Sequence, residues 1–250
     1  MVCKSAIGIM LVGDANLVIE DNSFNNITVT GFIEDENHDF YLGCYGIICT
    51  GKLTVSGEGT LNITSGDFIS DVIATGTSAF GICAKGQEVV WKSGTVNIVC
   101  GTVGDNAANL RNIQGIRALN LTVEGGKINI ETGDCFTTDT KGAFLDGIYA
   151  EENYTQKDGE VHVNIGYCHI IGDELWKENL GICADVLISV EGGFLEVQAG
   201  NGSALGGAVD ISNGKSTNTI LLGDGTITAG PNNRGSDDYY DSQLYVKVVY

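Results

Sequence analysis

A Gly-Ile pair returns along this chain at Gly46-Ile47, Gly81-Ile82, Gly115-Ile116, Gly147-Ile148 and Gly181-Ile182, in steps of 32 to 35 residues. Gly8-Ile9 reads as an earlier copy and Gly207-Ala208-Val209 as a degenerate later one. Self-similarity on a period of this length constrains the fold more than any local pattern. Each copy is one small unit that buries its apolar side only by stacking on its neighbours.

After each pair come an alternating strand, a glycine turn and a second alternating strand. The copies are LTVSGEGTLNI (53–63), VVWKSGTVNI (89–98), LTVEGGKINI (121–130), YTQKDGEVHV (154–163) and ISVEGGFLEV (188–197), with ILLGDGTITA (220–229) as a final variant. Strict alternation over such short runs is the period of a half-buried β surface. A helical solenoid has a similar period, but it needs apolar spacings of three and four, and these glycines would be costly in helices. An immunoglobulin-type sandwich is the competing all-β arrangement; it does not explain why the motif returns in register five times.

The expected fold is therefore all-β, a right-handed parallel β-helix (β-solenoid) of about six rungs, each with three strands and about 33 residues. Right-handed coiling is the sense expected of parallel crossovers. Residues 1–230 form one domain on this reading, and 231–250 a tail, a cap or the start of a further rung.

Stacking predicts columns. Ile47, Ile82, Ile116, Ile148 and Ile182 share one inward column. Leu61, Val96, Ile128, Val161 and Leu195 share another, with Ile63, Ile98, Ile130, Val163 and Val197 beside it. Between these two, Asn62, Asn97, Asn129, His162, Glu196 and Thr228 face outward. Gln156 falls at an inward place and implies a distorted fourth rung.

Composition supports a packed interior rich in turns, with Gly 36 against Pro 1 and 43% hydrophobic residues. The formal charge of −19, from 32 acidic and 13 basic residues, repels nucleic acid and anionic lipid, so neither is an expected partner. No apolar run is long enough for a spanning helix, and no membrane insertion is expected.

The eight cysteines show no CxxC spacing. Phe68, Val103, Cys135 and Cys168 occupy equivalent positions, which leaves two readings for the last two: stacked core thiols, or a disulfide between adjacent rungs. The third corner of each rung carries a longer loop, at 66–79, 101–114, 133–146 and 166–180. Several of these loops are acidic, and Asp67, Asp71, Asp134 and Asp139 are the candidate oxygen ligands for Ca²⁺. No loop has EF-hand spacing. Tyr149, Tyr167 and Trp176 are the candidate carbohydrate contacts, since aromatic faces stack on sugar rings. Nothing matches a nucleophile elbow, a phosphate loop or a catalytic triad.

The repeated GI-x-A…LTV-x-GG-x-(L/V)-NI texture, across roughly residues 6–230, resembles bacterial extracellular β-helix proteins of the carbohydrate-binding-domain-containing type. The resemblance implies a cell-surface or secreted protein that binds polysaccharide, in some members with calcium. The expected function is a non-catalytic extracellular module that binds glycan or serves as an adhesin or stalk. The alternative is a β-helical polysaccharide lyase or glycoside hydrolase, which needs carboxylates in a groove with a basic residue in reach.

Overall fold

The computed structural model describes residues 5–29, 42–70, 77–105, 111–137, 143–170, 177–200, 202–206, 219–222 and 226–231. Their regular structure is β throughout, in one 11-stranded, one 7-stranded and one 4-stranded sheet. Strands pair in parallel with their counterparts one repeat away, so the chain winds as a parallel β-solenoid. Four turns carry strands in all three sheets, and the two larger sheets run on to seven rungs. Among the described residues no helix is long and apolar enough to cross a membrane.

The columns stack as expected. Ile47 pairs with Ile82, Ile82 with Ile116, Ile116 with Ile148 and Ile148 with Ile182, and all five are fully buried. Ile9 joins Ile47, so Gly8-Ile9 is the earlier copy of the motif. In the 7-stranded sheet Val96, Ile128, Val161 and Leu195 are in register and without exposure. Each such side chain contributes about 1.5–3 kcal/mol by leaving water.

The motif glycine is explained by a collision. A Cβ at Gly115 would run into Ile130 Cγ2 from the 7-stranded sheet and the carbonyl oxygen of Gly147 on the next rung. Gly46, Gly81, Gly147 and Gly181 meet the same obstacles one rung apart. The two larger sheets thus converge so closely at this corner that only glycine fits. The turn glycines have a different reason: Gly94, Gly126, Gly159 and Gly193 sit at φ of +85°, +77°, +86° and +78°, where a side chain is strained.

Three expectations need correction. The Gly-Ile strand and the strand after it are continuous in the middle rungs, as Thr77–Trp91, Arg111–Val123 and Ala143–Gln156. The third strand of those turns lies inside the segment read as a corner loop: Phe68–Ser70, Val103–Asp105, Cys135–Thr137 and Cys168–Ile170 form the 4-stranded sheet. Three residues are too few for a period of two to show. Finally, Gln156 distorts nothing. It keeps register with Val123 and Val190, fully buried, because its polar atoms are met. Tyr154 Oη donates to Gln156 Oε1 at 2.8 Å, and Gln156 Nε2 donates to the carbonyls of Phe194 and Gly159 at 3.0 and 3.2 Å.

Cys135 and Cys168 are neighbours in register and both buried, the placement that either reading requires. The real irregularity lies elsewhere. Register shifts between Ala118 and Asn120, where one residue replaces the three between Ala84 and Glu88. Repeat length varies at this second corner.

Candidate functional site

The outward column on the 7-stranded sheet is a hydrogen-bonded ladder. Asn62 Nδ2 donates to Asn26 Oδ1 at 2.9 Å, Asn97 Nδ2 to Asn62 Oδ1 at 2.7 Å, and Asn129 Nδ2 to Asn97 Oδ1 at 2.6 Å. Alternation forces the placement, since Asn62, Asn97 and Asn129 each lie between two inward apolar residues of one strand. A primary amide offers two donors and two acceptor lone pairs. Asn97 spends one of each on its neighbours and retains one of each toward solvent. Because all the bonds run in one direction, each amide polarises the next.

At the next rungs the column changes chemistry. His162 follows Asn129, and its Nδ1 lies 2.9 Å from Glu196 Oε2. His162 Nε2 stands 3.5 Å from Glu160 Oε2, and Lys127 Nζ bonds the same Glu160 at 2.8 Å. The Phe194 ring lies 5.2 Å from the imidazole, tilted by 45°. Hydrogen bonds from His162 and Gln198 hold the Glu196 carboxyl below its ordinary range, and the bond from Lys127, with His162 close by, does the same for Glu160. Both therefore stay ionised as acceptors.

A second outward column runs beside the first, through Val99, Glu131, Asn164 and Gln198. The two columns line an open groove of about 370 Å³ across four rungs, floored by the backbone of Ile98, Ile130 and Val163. Amides, carboxylates and one imidazole face outward over a flat apolar-backed sheet. Such a surface hydrogen-bonds hydroxyl groups in both senses.

Of the described residues singled out from the sequence, Tyr167 and Asp134 meet through the Tyr167 amide, while Tyr149 and Asp67 stand apart from them. Tyr149 lies on the outer side of the 11-stranded sheet, where its hydroxyl donates to Asp185 Oδ2 at 3.0 Å and Arg117 sits 5.1 Å from its ring centroid. Arg117 in turn holds Glu151 Oε1 through Nη2 at 2.8 Å and Nε at 2.9 Å, while Glu151 Oε2 accepts from the Gly86 amide. That cluster laces four rungs, from Gly86 to Asp185. Tyr167 is 9% exposed at the corner between the 7- and 4-stranded sheets. Trp176 lies outside the described residues.

Asp67 and Asp134 occupy one slot two rungs apart, so they stand about 9.6 Å from each other along the axis. Asp67 Oδ1 accepts from the Thr102 amide and Asp134 Oδ1 from the Tyr167 amide, each at 2.8 Å. Each aspartate therefore bonds the rung after its own, and the pair does not close on one cation. Asp71 and Asp139 lie outside the described residues. Among the described residues no group of three or more His, Cys, Asp or Glu side chains gathers as metal ligands. Asp146, read as a loop carboxylate, is fully buried in a strand and accepts from Gln114 Nε2 at 2.8 Å.

Asn97, Asn129, Glu131, His162, Asn164, Glu196 and Gln198 were not singled out as ligand contacts, although the column through His162 was read as outward. Their signal was in the sequence. Asparagine recurs at 62, 97 and 129 in a slot where the core imposes no identity.

The winding, the converging corner and the in-register polar face define this chain as a parallel β-solenoid repeat protein with one flat hydrogen-bonding side. It belongs to the carbohydrate-binding domain-containing protein family, whose model matches residues 2–235. Comparison with curated proteins and with solved structures gave no match.

Proposed function

We propose that the outer face of the 7-stranded sheet binds an extended polysaccharide lengthwise along the solenoid and does not cleave it. The observation that carries this reading is the unbroken Asn97–Asn129–His162–Glu196 column lining the groove. Its pitch of about 4.8 Å is close to the length of one pyranose unit in an extended β-linked chain, so successive sugars meet successive rungs. Family membership supports the same ligand class. Polysaccharide is met outside the cell, and service as a surface adhesin or stalk belongs to this proposal.

The carboxylates favour binding over cleavage. A glycosidase keeps one acid protonated by raising its pKa, whereas Glu160 and Glu196 are both shifted down. The chain's formal charge of −19 also favours neutral over anionic glycans.

The test is sedimentation of the whole chain with insoluble glucan, xylan, mannan and chitin, with polygalacturonate as the anionic control. Retention on at least one neutral polymer is expected. The Asn97→Ala/Asn129→Ala pair should weaken it about tenfold, as loss of two hydrogen bonds of about 0.5–1.5 kcal/mol each implies. Uniform failure to bind would leave a rigid spacer. Release of reducing or unsaturated sugar would refute the non-catalytic part.

A further inference from the structure

Around the corner from the groove, on the outer side of the 4-stranded sheet, Phe136 and His169 stand in register on adjacent rungs. Their rings are stacked, with centroids 4.7 Å apart and planes within 6°. Phe136 is 41% exposed, one of few large apolar side chains so exposed among the described residues. Gly104 lies in register on its other side, where a Cβ would meet Phe136 Cβ at 3.1 Å and Cδ2 at 3.4 Å. Glycine there lets the ring lean across a second rung.

Beside this platform stands an unmade contact. His169 Nε2 is 3.9 Å from Asp134 Oδ2, too far for a hydrogen bond. A single oxygen between them would contact both groups. A sugar hydroxyl has the required chemistry, accepting from an imidazole N–H while donating to a carboxylate. Asp134 Oδ1 is already held by the Tyr167 amide, which fixes the carboxylate in place.

We propose that Phe136, His169 and Asp134 form a subsite for one pyranose ring, whose apolar side packs on the exposed edge of the Phe136–His169 stack and whose hydroxyl bridges His169 and Asp134; the proposal rests on reading the neighbouring groove as a polysaccharide site. The two are joined in the chain, since Glu131 lines the groove and Asp134 and Phe136 follow within five residues. A neutral ring suits the place better than a nucleobase, because the acidic molecule repels polyphosphate. The ligand thus turns the corner, by a branch or by its end.

The experiment uses the full chain in chelator, with binding isotherms on whichever polymer of the neutral panel retains it. Phe136→Ala and Phe136→Leu should each weaken binding about three- to tenfold, the range expected for loss of one aromatic contact. Leucine keeps apolar bulk without the π face, and melting curves confirm that each variant is folded. Asp134→Asn, which retains an oxygen for the Tyr167 amide, should weaken binding to a similar extent. Wild-type binding that is unchanged in both Phe136 variants overturns the subsite alone. Failure of the wild type to bind any polymer overturns the groove and, with it, the subsite.

Discussion

Gln156 and Trp91 show how one inward position accepts different chemistry. Both belong to the column Val55–Trp91–Val123–Gln156–Val190, and both send an N–H to the carbonyl of the glycine three residues on, Gly94 or Gly159. The turn thus provides an acceptor at the edge of the core. Gln156→Leu strands the Tyr154 hydroxyl, whose ionisation is strongly suppressed by burial, and should cost about 1–3 kcal/mol. Tyr154→Phe combined with Gln156→Leu removes both partners and should recover much of that loss. Urea unfolding of the two singles and the double measures the coupling; additive losses would refute the account.

Between elements, two contacts decide most. The corner where the sheets converge admits only glycine, so Gly115→Ala should destabilise by about 1–3 kcal/mol or more as Ile130 and the Gly147 backbone are displaced. Chemical denaturation reads that directly, and an unchanged midpoint would mean that the corner has slack. Across the strands, the Glu196 carboxyl, held by hydrogen bonds from His162 and Gln198, carries a pH dependence. The Glu196 carboxyl binds its proton less tightly folded than at its ordinary value of 4.5. Its contribution is therefore complete above that value and is lost as pH falls below it. Melting temperature should decline as pH falls below about 4.5, less steeply in Glu196→Gln; parallel declines in both proteins would exclude this carboxyl as a source.

For the molecule as a whole, the stacked structure buries six of the seven described cysteines, Cys83 being half-buried. Cys100 is fully buried, and burial pushes its thiol up to about 11. Labelling the native protein should be slow, and labelling in denaturant without prior reduction should count all eight cysteines. A count of six would establish one disulfide, with Cys135 and Cys168 the in-register pair to test first. Calcium has its own whole-molecule test. Ligation at the corners would raise the melting temperature with added calcium and lower it with chelator, and an equal shift in Asp67→Asn and Asp134→Asn would remove these two residues from any such site.

The coil, its columns and its outward faces were legible in the chain, because a period of two nested in a period of about 33 leaves few ways to bury Ile, Val and Leu. The Gly-Ile signal was readable as a pattern, while its cause, a steric meeting of two sheets, was not. The face carrying the candidate site was likewise legible as outward, but its ladder was not. A ladder depends on amide spacing across rungs, and sequence separates those residues by 32 to 36 positions. Tyr149 was singled out as an outward aromatic residue and Tyr167 as one in a neighbouring loop. Only packing decided that one would stand against Arg117 and the other lie almost covered, since exposure is set by neighbours that the chain brings together only when it winds.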